Sequence, residues 1–439
     1  MKKQVWFGLL GLLPALSLLS GCGGGNGIAG GNMRSTHPVT LPGSSSDSSL
    51  STRAISGNPN GVLQRVAKIV AKPGEGSFYT ASIDPTQGYA YFGTSGSTHP
   101  GYIVKVALGT GNNAPTEVGS IQLPIGQEGT VCSVIDTVHG YAYFGNLGVP
   151  ARIFKVALGA GSAPPRLVGS LVLNAGENCL FDGAIDVANG VAYFTCATNP
   201  AKIVKISLGQ GNALPTRVGV TTLAAGSGIA RRLLMDPVRG YLYAVTMNGN
   251  TSGLVKLTLG SGSALPTQVS SVTLPSGEDH ILFGALDAAT GYAYLATYNP
   301  GGIMDCTTPG KIIKVRLNPG DMAPTRIGSI TVPQKYFTSG GIDPNTHYLY
   351  VGNDLTFRSS NVLQVATGQG DSLPSVVNSI QLQPGSTSYT FATRPFMADP
   401  KQAGEIYIQS GVMDPANGYI YFGTDTHDGQ VVKVAIPSK

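Results

Sequence analysis

The chain has 439 residues, 42% hydrophobic and 12% charged, with 28 Lys and Arg against 23 Asp and Glu for a net charge of +5. Lys2 and Lys3 stand at the very start and the remaining basic residues form no run, which argues against nucleic acid as a partner. The only tryptophan, Trp6, lies in the opening segment, so the body of the protein lacks the side chain best suited to stacking on sugars.

In chain order, the first element is MKKQVWFGLLGLLPALSLLSGC, two lysines followed by an apolar run from Val5 to Leu19. This is the layout of an export signal, and the run is too short for a spanning helix. Its end, Leu19-Ser20-Gly21-Cys22, resembles the lipobox of bacterial lipoproteins. The resemblance implies that residues 1–21 are a signal peptide and that Cys22 is lipidated, becoming the first mature residue and the membrane anchor. Acyl chains at roughly 0.8 kcal/mol per buried CH₂ hold such a protein on a membrane without a transmembrane segment. Gly23 rather than aspartate after Cys22 fits, on the same resemblance, the outer membrane of the cell envelope. Residues 22–60 are rich in Gly and Ser and poor in large apolar residues, which predicts a flexible stalk. Residues 61–439 are then the working domain, expected to be monomeric.

That domain repeats itself. IDPTQGYAYFGT (83–94), IDTVHGYAYFGN (135–146), IDVANGVAYFTC (185–196), MDPVRGYLYAVT (235–246), LDAATGYAYLAT (286–297), IDPNTHYLYVGN (342–353) and MDPANGYIYFGT (413–424) are seven copies of one motif. Their anchors are Asp84, Asp136, Asp186, Asp236, Asp287, Asp343 and Asp414, about fifty residues apart, with about seventy before the last. Each copy contains four strand-like segments: one ending at the aspartate, the aromatic stretch, a stretch such as IVKVAL (103–108), and one such as EVGSIQL (117–123). In GYAYFG, Tyr89 and Tyr91 face one side and Ala90 and Phe92 the other, so the strand needs apolar cover on both faces. The pattern predicts an all-β, seven-bladed β-propeller of four-stranded antiparallel blades. The last copy stops after QVVKVAI (430–436), while RVAKIVA (65–71) precedes the first copy and matches a fourth strand. The amino-terminal segment is therefore expected to complete the last blade and close the ring.

With its turn-then-aromatic-strand layout, IDPTQGYAYFGT resembles the YVTN-type propellers of bacterial surface and periplasmic proteins. That resemblance covers residues 62–439 and implies the fold without fixing a function, since related propellers include lactonases, lyases and plain binding proteins.

Repeated residues read as scaffold: Lys105, Lys155, Lys205, Lys256, Lys314 and Lys433 recur in the third strand, with Gln364 breaking the series, and are expected to pair with the equally regular aspartates. The Gly109/Gly111-type pairs are turns between strands, not phosphate loops. No G-x-S-x-G, H-E-x-x-H or C-x-x-C occurs. Cys179 and Cys196 lie symmetrically about a turn and are a candidate disulfide in an exported protein.

Candidate binding residues fall where blades hand over. Glu75, Glu177, Glu278 and Glu405 each follow a glycine nine residues before an anchor, with His280 just beyond Glu278; Glu128 is one place out of register. Converging carboxylates there suit Ca²⁺ or another divalent cation. An insertion at 384–404 carries Arg394 to the same face, where the loop THDGQ brings Asp425, His427 and Asp428. The first blade's loop holds His99. Because ring closure makes the first and last blades neighbours, Glu75, His99, Glu405 and His427 form a candidate metal set. Inside the channel the position four before each anchor is Thr80, Cys132, Asp182, Arg232, Phe283, Ser339 or Ser410, and Asp182 and Arg232 on adjacent blades are expected to pair. Two functions are expected from these features: a membrane-tethered module that binds a protein or surface polymer, or a lactonase- or lyase-type enzyme with a divalent metal at the channel mouth.

Overall fold

A computed structural model describes residues 61–95, 101–127, 129–298, 308–354, 360–385 and 404–437. The signal peptide, Cys22, the stalk, Glu128, and with them His99, Arg394 and most of the 384–404 insertion, lie outside the described residues.

The architecture is built on the repeat. Seven sheets of four antiparallel strands form the blades of a propeller, six of them built from strands consecutive in sequence. The first blade is Phe78–Asp84, Tyr89–Thr94, Tyr102–Ala107 and Thr116–Gln122. In the last blade, Ile408–Asp414, Tyr419–Thr424 and Gln430–Ala435 are joined by the amino-terminal strand Gln64–Val70. That strand pairs antiparallel with the last, Gln64 opposite Ala435 and Val70 opposite Gln430. Ring closure is thus non-covalent and occurs where the sequence predicts it. Arg65 on the closing strand adds a stitch, its Nε and Nη2 reaching Glu405 Oε1 at 2.9 and 2.5 Å.

The core lies between blades. Tyr91 and Ile103 of blade one pack with Ala142, Phe144 and Phe154 of blade two, and Phe92 and Val104 pack backwards against Tyr421 and Val431 of the last blade. This is the two-faced burial read from GYAYFG. Its two glycines have separate reasons. Gly88 sits at φ +77° in the turn, where an L side chain is strained. At Gly93 a Cβ would come within 2.6 Å of Thr130 Oγ1 on the next blade, so the strand is spelled with glycine to let blades close up.

The anchor aspartate caps its own turn: Asp84 Oδ1 accepts from the backbone N–H groups of Thr86 and Gln87, both at 3.1 Å. The lysines depart from their expected pairing. Lys105 Nζ donates to Gly159 O, Gly161 O and Ala163 O of the next blade, at 2.7, 2.6 and 2.9 Å, while lying 4.1 Å from the Tyr89 ring centroid. Lys155, Lys205, Lys256, Lys314 and Lys433 grip the following hairpin in the same way. Each lysine therefore pairs with backbone carbonyls of its neighbour, and the aspartate is not its partner. Gln364 is explained by the same geometry. The next blade is the one closed by the chain ends, so it has no hairpin between its third and fourth strands to grip; a cavity of about 260 Å³ lined by Gly61, Tyr348, Gln364 and Pro437 stands there instead.

Candidate functional site

In every blade the inner strand carries a register irregularity at the same place, between Phe78 and Thr80 in blade one and between Ile408 and Ser410 in blade seven. The equivalent breaks occur at 130/132, 180/183, 230/232, 281/283 and 337/339. A bulge re-aims the extra residue. Five before each anchor, that residue is Tyr79, Val131, Phe181, Arg231, Leu282, Thr338 or Gln409, and all seven line one cavity of about 140 Å³ together with Ser95, Leu147 and Arg232. Strict alternation along the strand misses this ring by one residue. Of the position four before the anchor, Thr80 bonds Ser133 of the next blade at 2.7 Å and Ser410 donates to Phe78 O at 2.8 Å. Most of that set is buried between blades, and only Arg232 joins the lining.

A second set of positions lies eleven after the anchor in six of the blades. There the backbone N–H of Ser95, Leu147, Ala197, Tyr298, Asp354 or Asp425 donates to the carbonyl of Ser77, Gly129, Cys179, His280, Tyr336 or Tyr407. These acceptors share a left-handed backbone, φ +49° to +87°, which glycine adopts freely and the other five residues do not. Scaffold and variation are thus separated: the backbone of the mouth repeats and its side chains differ from blade to blade.

One side of the mouth is acidic and aromatic. Gln409 Nε2 and the Tyr298 hydroxyl donate to Asp354 Oδ2 at 2.9 and 3.3 Å, and the Tyr298 ring meets Tyr336 edge-on at 5.1 Å. Burial, then the nearby Asp425, pushes Asp354 up to about 8, so it keeps its proton at neutral pH. Its Oδ1 is buried without a partner. Asp425 accepts from the Tyr79 hydroxyl at 2.8 Å and is likewise raised by burial. The other side is basic. Arg231 stacks 4.3 Å from the Phe181 ring centroid, and Arg232 donates to Leu282 O and, at 2.7 Å, to Thr338 O. The expected Asp182–Arg232 pair is present but loose at 4.0 Å, since Asp182 Oδ2 accepts from Leu233 N at 2.9 Å.

The glutamates do not converge as their spacing suggests. Arg217 forks onto Glu177 at 2.6–3.0 Å, Arg326 onto Glu278, and Arg65 onto Glu405. Each pair ties a handover to the fourth strand of the blade it enters, so these carboxylates are neutralised in pairs and do not ring the channel. Glu75 is the exception: its partner slot holds Glu117, and it turns to Ser120 Oγ while Lys72 Nζ lies 2.5 Å from Glu117 Oε1. The first and last blades do meet as expected, with Gly429 N donating to Glu75 O at 3.0 Å and Gly74 N to Asp428 Oδ1 at 3.1 Å, next to His427 Nδ1 at 2.9 Å. Asp425 stands apart from that group, with Tyr79. His280 Nδ1 lies 3.2 Å from Asp279 Oδ1 near the mouth. Among the described residues no three His, Cys, Asp or Glu side chains converge on one point. Cys179 and Cys196 are free thiols and form no disulfide. Cys196 pairs with Leu180, one residue past Cys179, whose left-handed backbone turns its Sγ to Leu147 O at 3.1 Å.

No family model matches the chain, and no curated protein is detectably similar in sequence. Solved structures resemble it in shape. A protein from Lactobacillus plantarum superposes at a TM-score of 0.59 with 13% identity, over 79% of this chain and 96% of that one. Hydrazine synthase of Kuenenia stuttgartiensis does so at 0.57 with 11% identity, over 83% and 96%. The WD40 repeats of RRP9 give 0.55 with 11% identity, over 84% and 99%. Such identities carry the fold alone. The chain has the fold of a seven-bladed, all-β propeller closed by its amino-terminal strand.

Proposed function

We propose that this chain is a YVTN-like lipoprotein of the cell envelope, tethered to the outer membrane through Cys22, whose monomeric propeller binds a protein or surface-polymer ligand at its channel mouth. The observation that carries the reading is the contrast at the mouth. Seven equivalent positions share an inner-strand bulge and present Tyr79, Val131, Phe181, Arg231, Leu282, Thr338 and Gln409, whereas the turns, lysine clips and tyrosines elsewhere repeat. Recognition needs such differences; scaffold does not. The rival enzyme reading relies on Glu75, His99, Glu405 and His427 holding a divalent cation such as Ca²⁺. Of these, Glu405 is held by Arg65, the Glu75 carboxylate accepts from Ser120, and His427 Nδ1 lies against Asp428, which favours binding over metal-assisted hydrolysis.

The test has two arms in one host. Metabolic labelling with an alkynyl fatty acid marks the wild-type chain in the membrane fraction, while Cys22→Ser is unlabelled and soluble. A photo-crosslinking residue placed at Tyr79, in the mouth, then yields envelope adducts, and one at Val138, in an exposed turn, yields none. An unlabelled wild type removes the tether; equal crosslinking from both positions removes the mouth.

A further inference from the structure

Among the described residues, buried cations come with acceptors, except one. The six clip lysines grip carbonyls, and the half-buried Arg65, Arg217 and Arg326 each grip a glutamate. Arg231 is 8% exposed, and its Nε has no hydrogen-bond partner. Among the described residues it holds the one cationic atom buried in this way. The charge that acts on it most is the like charge of Arg232, and burial with that repulsion draws it down to about 10, so it stays a cation at neutral pH. A buried charge without a counter-charge destabilises the fold.

Arg231 faces the mouth cavity of about 140 Å³. Apolar side chains border it: Val131, Leu147, Phe181 and Leu282. Gln409 and Tyr79, which line the cavity with neutral groups, donate to one oxygen each of Asp354 and Asp425, neither of which lines it. Asp182 faces Arg232, and no carboxylate acts on Arg231, so this side of the cavity keeps its positive charge.

We propose that this cavity binds a small organic monoanion, a carboxylate on an apolar body, anchored by Arg231. The inference rests on the reading of the mouth as a binding surface and names the chemistry of the ligand that enters it. The carboxylate supplies the acceptor that Arg231 lacks, in the paired geometry a guanidinium favours. The body lies against Phe181 and the aliphatic wall. A dianion such as phosphate fits less well, because it exceeds the available charge and offers the apolar wall nothing.

Calorimetric titration of the purified full chain at low salt tests this with three probes: benzoate, its neutral isostere benzamide, and inorganic phosphate. Benzoate is expected to bind at one per chain, at least tenfold tighter than either of the others. Arg231→Gln is expected to weaken benzoate at least tenfold, and Arg231→Lys to restore part of the loss. Should Arg231→Gln fail to fold, Phe181→Leu keeps the charge and is expected to weaken benzoate several-fold. Equal binding of benzoate and benzamide, no binding of benzoate, phosphate binding the tighter, or benzoate binding unchanged in these variants each overturns the proposal. Failure here with fatty-acid labelling and mouth crosslinking intact sinks the anion site alone; failure of those two arms sinks the wider reading.

Discussion

At the scale of single residues, this fold uses carboxylates in three environments with different consequences. The anchor aspartates accept from their own turns. The handover glutamates meet arginines. Asp354 is buried with its proton, and linkage fixes the sign of its effect on stability. Its folded pKa of about 8 lies above the ordinary 3.8, so the native state holds a proton that the unfolded chain releases. Stability therefore falls as pH rises from about 4 to about 8 and is level above that window. Asp354→Asn keeps an acceptor for Gln409 and Tyr298 and removes the titration. Thermal unfolding should show the variant matching wild type near pH 4 and exceeding it by on the order of 2 kcal/mol at pH 9. Glu75 offers a second case. Burial, and beyond it the neighbouring Glu117, raises it above 4.5, against the opposing hydrogen bond from Ser120. Glu117→Arg would install the pair found at Glu177–Arg217, so a gain of about 1 kcal/mol is expected at pH 7. That gain should shrink as the pH is lowered toward 4.5 and Glu75 takes up its proton. A destabilised variant at pH 7 would show that the slot is shaped for its present pair.

At the scale of the element, the blade joins its neighbour through side chains that the sequence displays without explaining. The period of the lysines is visible in the sequence, and so is the break at Gln364; their acceptors are not, because a backbone carbonyl on the next blade leaves no mark there. Lys205→Ala removes three charge-assisted hydrogen bonds and uncovers a buried hairpin, so it should cost about 3 kcal/mol or more in chemical denaturation. Gln364→Lys restores the repeat's consensus where no hairpin comes next, so it should bring no gain in melting temperature. The mouth shows the other limit of legibility. Strict alternation places Arg232 in the mouth correctly but hides Arg231, Phe181 and Tyr79, since a bulge adds a residue without changing composition. The column four before each anchor varies as much as the column five before it, so variation in the sequence does not show which of the two lines the mouth. The disulfide expectation fails for a different reason: Asp186 opposes Val191, so the hairpin is centred one residue later than the symmetry of Cys179 and Cys196 assumes, and Leu180 takes the place opposite Cys196.

At the scale of the whole molecule, the chain divides into a leading segment of an apolar run and a Gly- and Ser-rich stretch, and a ring whose seam is the strand next to that segment. Fold class, blade number and closure are legible because each blade repeats one apolar pattern and the ends complement each other. Ligand chemistry is less legible, since it depends on which side chains seven strands deliver to one mouth. The closing strand pairs with Gln430–Ala435, and it also carries Arg65 to the otherwise uncompensated Glu405. Residues 1–60, by contrast, are expected to contribute tethering and no stability. Thermal unfolding of two truncated chains tests this division most directly. A chain beginning at Gly61 should melt with the full-length protein, and one beginning at Lys72 should lose its cooperative transition or melt many degrees lower. Equal melting of both truncations would contradict a ring closed by its amino-terminal strand.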